Sequence, residues 1–184
     1  MARVYMVRHG RAEAGFGESM DPGLDALGRS QAEAVAERLK GLGPLPILSS
    51  PLRRTRETAA PLSTLWSIKP VVEPAVAEIP SPRGMTLEGR VAWLRNLMGG
   101  SWRDVTRELA EWREDCIASV AEISRDTVIF SHYVAINVIA GAATGDHRVV
   151  VFSPDNCSVT VLETDGAKLT LVEKGNEAPL TKVN

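Results

Sequence analysis

The stretch Val4-Tyr5-Met6-Val7-Arg8-His9-Gly10 constrains this chain most, because an apolar run ends abruptly in a cation, an imidazole and a glycine. Val4, Tyr5 and Val7 favour extended backbone, and a continuous apolar run suits a strand covered on both faces, as in an α/β sheet. Gly10 then permits a tight turn. In open α/β sheets ligands lie outside the carboxyl ends of the strands, so Arg8 and His9 stand where a site is expected. Taken alone, the tripeptide is equally compatible with an Arg and a His that face solvent at a strand end.

At 184 residues, 44% hydrophobic and 24% charged, the chain suits one globular domain with a substantial core. A net charge of -2 argues against a general nucleic-acid or anionic-membrane binder, since both need a basic surface. Cys116 and Cys157 fall in a helical and a strand pattern and are expected as free thiols. The chain enters a strand within three residues, with no apolar segment long enough for a signal peptide or membrane span, so a cytoplasmic location is expected.

A glycine-containing loop, Arg11 to Gly23, follows the opening strand and should line whatever His9 serves. From Asp25, an N-cap candidate, Leu27, Ala32, Val35, Ala36, Leu39 and Leu42 recur at helical spacing up to Gly41 or Gly43. A short strand over 46–49 leads into Ser50-Pro51, read as N-cap and first helical residue, which puts Arg53 and Arg54 in the first turn. Cations are disfavoured there, since a helix N-terminus carries partial positive charge. A bound phosphate would satisfy both the arginines and the free N–H groups, although Arg53 and Arg56 are also explained by pairing with surface carboxylates such as Glu57.

The proline-rich stretch 68–84 carries an extended run, Val71 to Ile79, and reads as an excursion over the surface rather than a central strand. Leu87, Val91, Leu94 and Met98 then form an apolar helical stripe ended by Gly99-Gly100. Trp102, Val105, Leu109, Trp112, Cys116, Val120 and Ile123 predict one long helix whose aromatic residues are core. A strand over 127–131 runs straight into His132, repeating the corner at His9, and 134–143 suits a buried helix. Val149 to Phe152, a turn at 153–156, and strands over 158–163 and 169–173 make a hairpin-like end, with a loose tail over 175–184.

Three strand ends thus offer Arg8 and His9, Ser50 with Arg54, and Ser131 with His132. Two imidazoles with two guanidiniums and no thiolate suit a doubly charged oxyanion better than a transition metal. Zinc would need a third ligand, and His147 falls in an exposed loop, so no metal is expected.

These motifs resemble the histidine phosphatase superfamily, the phosphoglycerate mutase-like fold. The resemblance rests on Arg8-His9-Gly10, on Ser49-Ser50-Pro51-Leu52-Arg53-Arg54 with Thr58-Ala59, on Ser131-His132, and on Leu27-Gly28 with Gln31-Ala32. It implies that His9 accepts the phosphoryl group, that Arg8, Arg54, His132 and Gly10 hold the phosphate, and that Glu78 best matches the carboxylate protonating the leaving oxygen. Glu73, Glu88 and Glu13 are possible substitutes. Tyr133 departs from the family pattern, where glycine is frequent after the second histidine. The segment Ile79-Pro80-Ser81-Pro82 departs from the mutase-type continuation. Asn156 could reach the site from the last turn, although an Asx-turn role is the preferred explanation.

The resulting expectation is a single α/β domain, 1–184. It would be a three-layer sandwich with a mostly parallel sheet, an antiparallel edge strand and helices on both faces. Its expected activity is a metal-independent, cofactor-free phosphatase of phosphomonoesters, acting through a phosphohistidine on a small phosphorylated metabolite or a phosphoprotein. The alternatives are a phosphoglycerate mutase-type phosphotransferase, a phosphohistidine-protein phosphatase and a non-catalytic phosphate-binding module.

Overall fold

A computed structural model describes residues 1–15 and 18–179. The sheet has six strands: β1 (Ala2–Arg8), β2 (Ile47–Ser49), β3 (Val71–Val72), β4 (Thr127–Ser131), β5 (Val159–Thr164) and β6 (Leu169–Glu173), in the order β3-β2-β4-β1-β5-β6. Pairs β3/β2, β2/β4 and β4/β1 are parallel, whereas β5 and β6 add antiparallel to the far edge. Among the described residues five α-helices cover it: α1 (Ala26–Leu39), α2 (Arg53–Trp66), α3 (Leu87–Met98), α4 (Arg107–Ala121) and α5 (Tyr133–Thr144). No helix among the described residues is long and apolar enough to cross a membrane.

The alternation of side chains along a strand builds the two layers around the sheet. Val7, Val128, Phe130 and Val159 pack with Val35, Leu39, Ala59 and Leu62 of α1 and α2 on one face. Val4, Met6, Ile129 and Leu162 pack with Leu109, Val120, Ile136 and Ile139 of α4 and α5 on the other. The parallel register sets Arg8 opposite Ser131 and Ser49 opposite Phe130, so three carboxyl ends finish at one level. Asp25 caps α1 by accepting from Gly28 N at 2.7 Å. The start of α1 lies against the turn after β1, where a Cβ at Gly10 would meet Gly28 O at 2.6 Å and one at Gly28 would strike Arg11 O.

Several expectations change. Helix α2 begins at Arg53, and its N-cap is Leu52, without a side-chain cap. Two of the N–H groups at its start are already used, since Arg53 N donates to Asp21 at 2.7 Å and Leu52 N to Ser50 Oγ at 3.2 Å. The anion at this N-terminus is therefore Asp21. The long helix expected from Trp102 is broken into a 3-10 turn, Trp102–Asp104, and α4, because Thr106 caps α4 in extended conformation. The 68–84 excursion is partly interior: Val76, Glu78 and Ile79 are buried, and Ser131 Oγ donates to Val76 O at 2.8 Å.

Val149 to Phe152 forms no strand. Asn137, buried on α5, accepts from Val151 N at 2.7 Å and Phe152 N at 3.0 Å, so these N–H groups need no ladder partner. The segment expected as a loose tail is tied down at its start, where Asp155 N donates to Asn176 O and Ala178 N to Ser153 O. Residues 180–184 lie outside the described residues.

Asn137→Ala should strand two buried N–H groups and lower stability by about 2–4 kcal/mol in urea unfolding.

Candidate active site

His9 leaves β1 with its backbone N–H donated to Ser131 O at 3.1 Å, so the strand ladder itself fixes its origin. Its Nδ1 lies 2.8 Å from Gly10 O. A carbonyl oxygen can only accept, so Nδ1 carries the proton and the Nε2 lone pair is free to act. Arg54 Nε donates to that Nε2 at 3.2 Å from the first turn of α2. Burial, then the Arg54 and Arg8 charges, hold the His9 imidazole well below its usual pKa, which keeps it neutral. Gly10 N donates to Thr58 Oγ1 at 3.0 Å, which ties the turn after β1 to α2.

His132 sits at the equivalent corner, where β4 passes into α5, with its ring centroid 5.3 Å from that of His9. Its Nε2 lies 2.7 Å from Ser50 Oγ. That hydroxyl already accepts from Leu52 N and is fully buried. Among the described residues its own proton has no acceptor besides His132 Nε2, so the hydroxyl donates there and His132 also carries its proton on Nδ1. The Nδ1 atom is buried and has no hydrogen-bond partner among the described residues. Burial, then Arg54, His9, Arg8 and Arg90, push the His132 pKa far down as well. Ser50 is thus no helix cap; it sets the orientation of an imidazole donor.

Arg8 is buried beside them. It donates from Nη1 to Pro154 O at 2.8 Å, and its guanidinium lies 5.1 Å from the centre of the Tyr133 ring. Tyr133, the residue that departs from the family pattern, therefore carries Arg8 on its face. Asn156 Nδ2 donates to His9 O at 2.9 Å, so its side chain serves the site and not an Asx turn of its own. Arg53 pairs with Glu57, as surface pairing predicts, and Arg56 is exposed.

Glu78 is buried, with Oε1 accepting from Ile79 N at 3.0 Å and Oε2 without a hydrogen-bond partner among the described residues. Burial raises its pKa, against the opposing pull of Ile79 N–H, Arg54, Arg8 and Val134 N–H. Glu73 caps the turn at Ala75, Glu88 is exposed, and Glu13 accepts from Gly23 N and pairs with Arg53. Of the four carboxylates, Glu78 alone is both buried and biased toward holding a proton.

Above these residues opens a cavity of about 1040 Å³ with Arg8, His9 and Arg54 on its wall. His132, Glu78 and Gly10 are buried next to them and are not among the lining residues. Sequence reasoning missed Arg90, which is buried on α3 and lines the cavity, because it hides beside an apolar stripe that reads as core. The Arg-rich start of α2 was the signal for an anion site; Arg90 left none. Among the described residues no three His, Cys, Asp or Glu side chains are grouped to hold a metal ion.

The sequence profile of the histidine phosphatase superfamily (branch 1) matches residues 4–177, and the chain belongs to that superfamily. It is 29% identical over 163 residues to a probable phosphoglycerate mutase of Escherichia fergusonii, covering 79% of this chain and 76% of that protein. A PE-PGRS family protein of Mycobacterium tuberculosis is 39% identical over 107 residues, which is 49% of this chain and 18% of that protein's length. The fold matches a phosphoserine phosphatase of Entamoeba histolytica, solved in complex with 3-phosphoglyceric acid. That match has a TM-score of 0.75 at 20% identity and covers 96% of this chain and 98% of the other.

Nitrogen-15 shifts should report neutral, Nδ1-protonated rings for His9 and His132 at pH 7 and no titration near 6.5, with His132 losing its single tautomer in Ser50→Ala. Unfolded histidines bind protons below about pH 6.5 while these stay neutral, so their contribution makes stability fall as pH drops through that value. Each can cost up to about 1.4 kcal/mol per pH unit. Glu78 acts oppositely, since its folded form keeps a proton that the unfolded chain has released, so its share of stability falls as pH rises through its raised pKa. In urea unfolding, His9→Gln should flatten the decline below pH 6.5.

Proposed function

We propose that this protein is a metal-independent, histidine acid phosphatase-like hydrolase that cleaves phosphomonoesters through a phosphohistidine at His9. The observation that carries the reading is His9 itself: neutral, its proton committed to Gly10 O, and its Nε2 lone pair held against a guanidinium. A phosphoryl group entering there takes over the Arg54 donor and frees Nε2 to attack phosphorus. Arg8, Arg54 and the Nδ1–H of His132, with the Gly10 turn, hold the equatorial oxygens, so charge stabilisation comes from fixed protein groups.

As the Nε2–P bond forms and the ester P–O bond breaks, the leaving alkoxide takes the proton held by Glu78. A water then attacks the phosphohistidine, gives its proton back to Glu78, and releases inorganic phosphate with His9 restored. The carboxyl is suited to both steps because burial raises its pKa while Arg54 and Arg8 keep ionisation within reach. The relative named as a probable phosphoglycerate mutase favours a second reading, in which the phosphoryl group returns to a phosphoglycerate. At 184 residues the chain has little room for the insertions that would shut water out, which supports hydrolysis.

With p-nitrophenyl phosphate, an acid-labile phosphoenzyme should be trapped in the wild type, and His9→Ala should abolish both the trap and turnover. Glu78→Gln should cost about 10²–10⁴-fold in kcat on an alkyl phosphate, and far less on the nitrophenyl ester, whose leaving group needs no proton. Phosphate release should outrun isomerisation of phosphoglycerates; dominant isomerisation would establish the mutase instead.

A further inference from the structure

The cavity above His9 is larger than a phosphate site requires. At about 1040 Å³ it lies at the top of the range of roughly 300–1,000 Å³ that holds drug-sized ligands. Its charged groups divide by depth. Arg8, Arg54 and Arg90 form the buried end, and Arg90 is close enough to lower the pKa of both Arg54 and His132. Farther out, Arg11 is neutralised by Asp25, and Glu13 by Arg53.

The rest of the lining is mixed, with Glu18, Arg95 and Asp155 beside Ser19, Gln31 and Asn156, but one stretch of the wall is apolar. Val91, Leu94 and Met98 face the cavity from one side of α3, at spacings of three and four residues. The sequence pattern assigns that stripe to the core, and Leu94 and Met98 do reach it, but Val91 joins neither core cluster. Leu27 also lines the cavity, and so does Met20; both belong to the short set of large apolar side chains left exposed, at 45% and 63%. An apolar side chain that joins no core cluster and faces a cavity is explained by what enters the cavity.

We infer that the leaving group is a bulky, largely apolar alcohol, seated between α3 and Leu27, in place of a small acidic metabolite. This rests on the proposed phosphomonoester hydrolysis for the seat of the phosphate, while the apolar wall is a separate observation. A leaving group the size of serine or glycerate would leave the wall facing water. An apolar body buries it, with a gain of roughly three- to fourfold in affinity per methylene fully covered.

Calorimetry with ethyl-, butyl- and hexylphosphonate, below any micelle-forming concentration, tests this without turnover. Hexylphosphonate should bind at least about tenfold tighter than ethylphosphonate, with a more negative heat-capacity change. The hexyl-to-ethyl ratio should shrink severalfold in Val91→Asn and in Leu27→Gln, two positions outside both core clusters. Equal affinities across the series in the wild type, or a ratio unmoved in both variants, would overturn the inference. The same chain-length order should appear in kcat/KM for alkyl phosphates. A steep phosphonate series with no release of phosphate from p-nitrophenyl phosphate supports the apolar seat and removes the hydrolase. Turnover of that ester with a flat series does the reverse.

Discussion

Two guanidiniums buried at the carboxyl ends of parallel strands are the constraint on which the rest of this structure depends. Arg8 and Arg54 form no ion pair among the described residues. Burying charge without a carboxylate partner costs several kcal/mol unless other groups replace the lost water. Here the replacements are a carbonyl oxygen, the face of Tyr133 and an imidazole lone pair. Burial lowers both guanidinium pKa values, opposed chiefly by Glu78. The field left over is positive and aimed at one point, where an oxyanion gains most because little solvent competes.

That field also decides the states of its neighbours. Burial first, and this field second, keep His9 and His132 neutral, which leaves a lone pair on Nε2 of one and a donor on Nδ1 of the other. The field opposes the burial that raises the Glu78 pKa, so the carboxyl is held between two tendencies. The floor of the site is rigid, since β1 and β4 pin His9 and α2 is tied to the turn at Gly10 through Thr58. The wall is built from α3, the described residues of the 11–23 loop and the 153–156 turn, which lie outside the sheet.

The strand ends were readable because their physics is local. An apolar β run that stops at Arg-His-Gly, and another that stops at Ser-His, need only alternation and strand propensity to be recognised, and β1 and β4 form as read. Arg54 was readable for the opposite reason, as a cation at a helix start that disfavours cations. The partners were not readable, because each is a contact between residues far apart in sequence. Ser50 looks like an N-cap until His132 arrives 82 positions later, and Asp21 takes the cap from a loop. Val149 to Phe152 has strand composition, yet Asn137 satisfies its backbone first.

By itself the sequence determined the layered α/β architecture, the strand corners that bear His9 and His132, and the presence of Arg8 and Arg54 near them. It did so because hydrophobic period, turn residues and helix-end electrostatics act over a few residues. Only the tertiary structure decided the proton positions on the two imidazoles, the burial that singles out Glu78 among four carboxylates, and the apolar wall that faces the cavity. Each of these depends on which distant groups exclude water from an atom or offer it a hydrogen bond, and that is a property of packing and not of spacing along the chain.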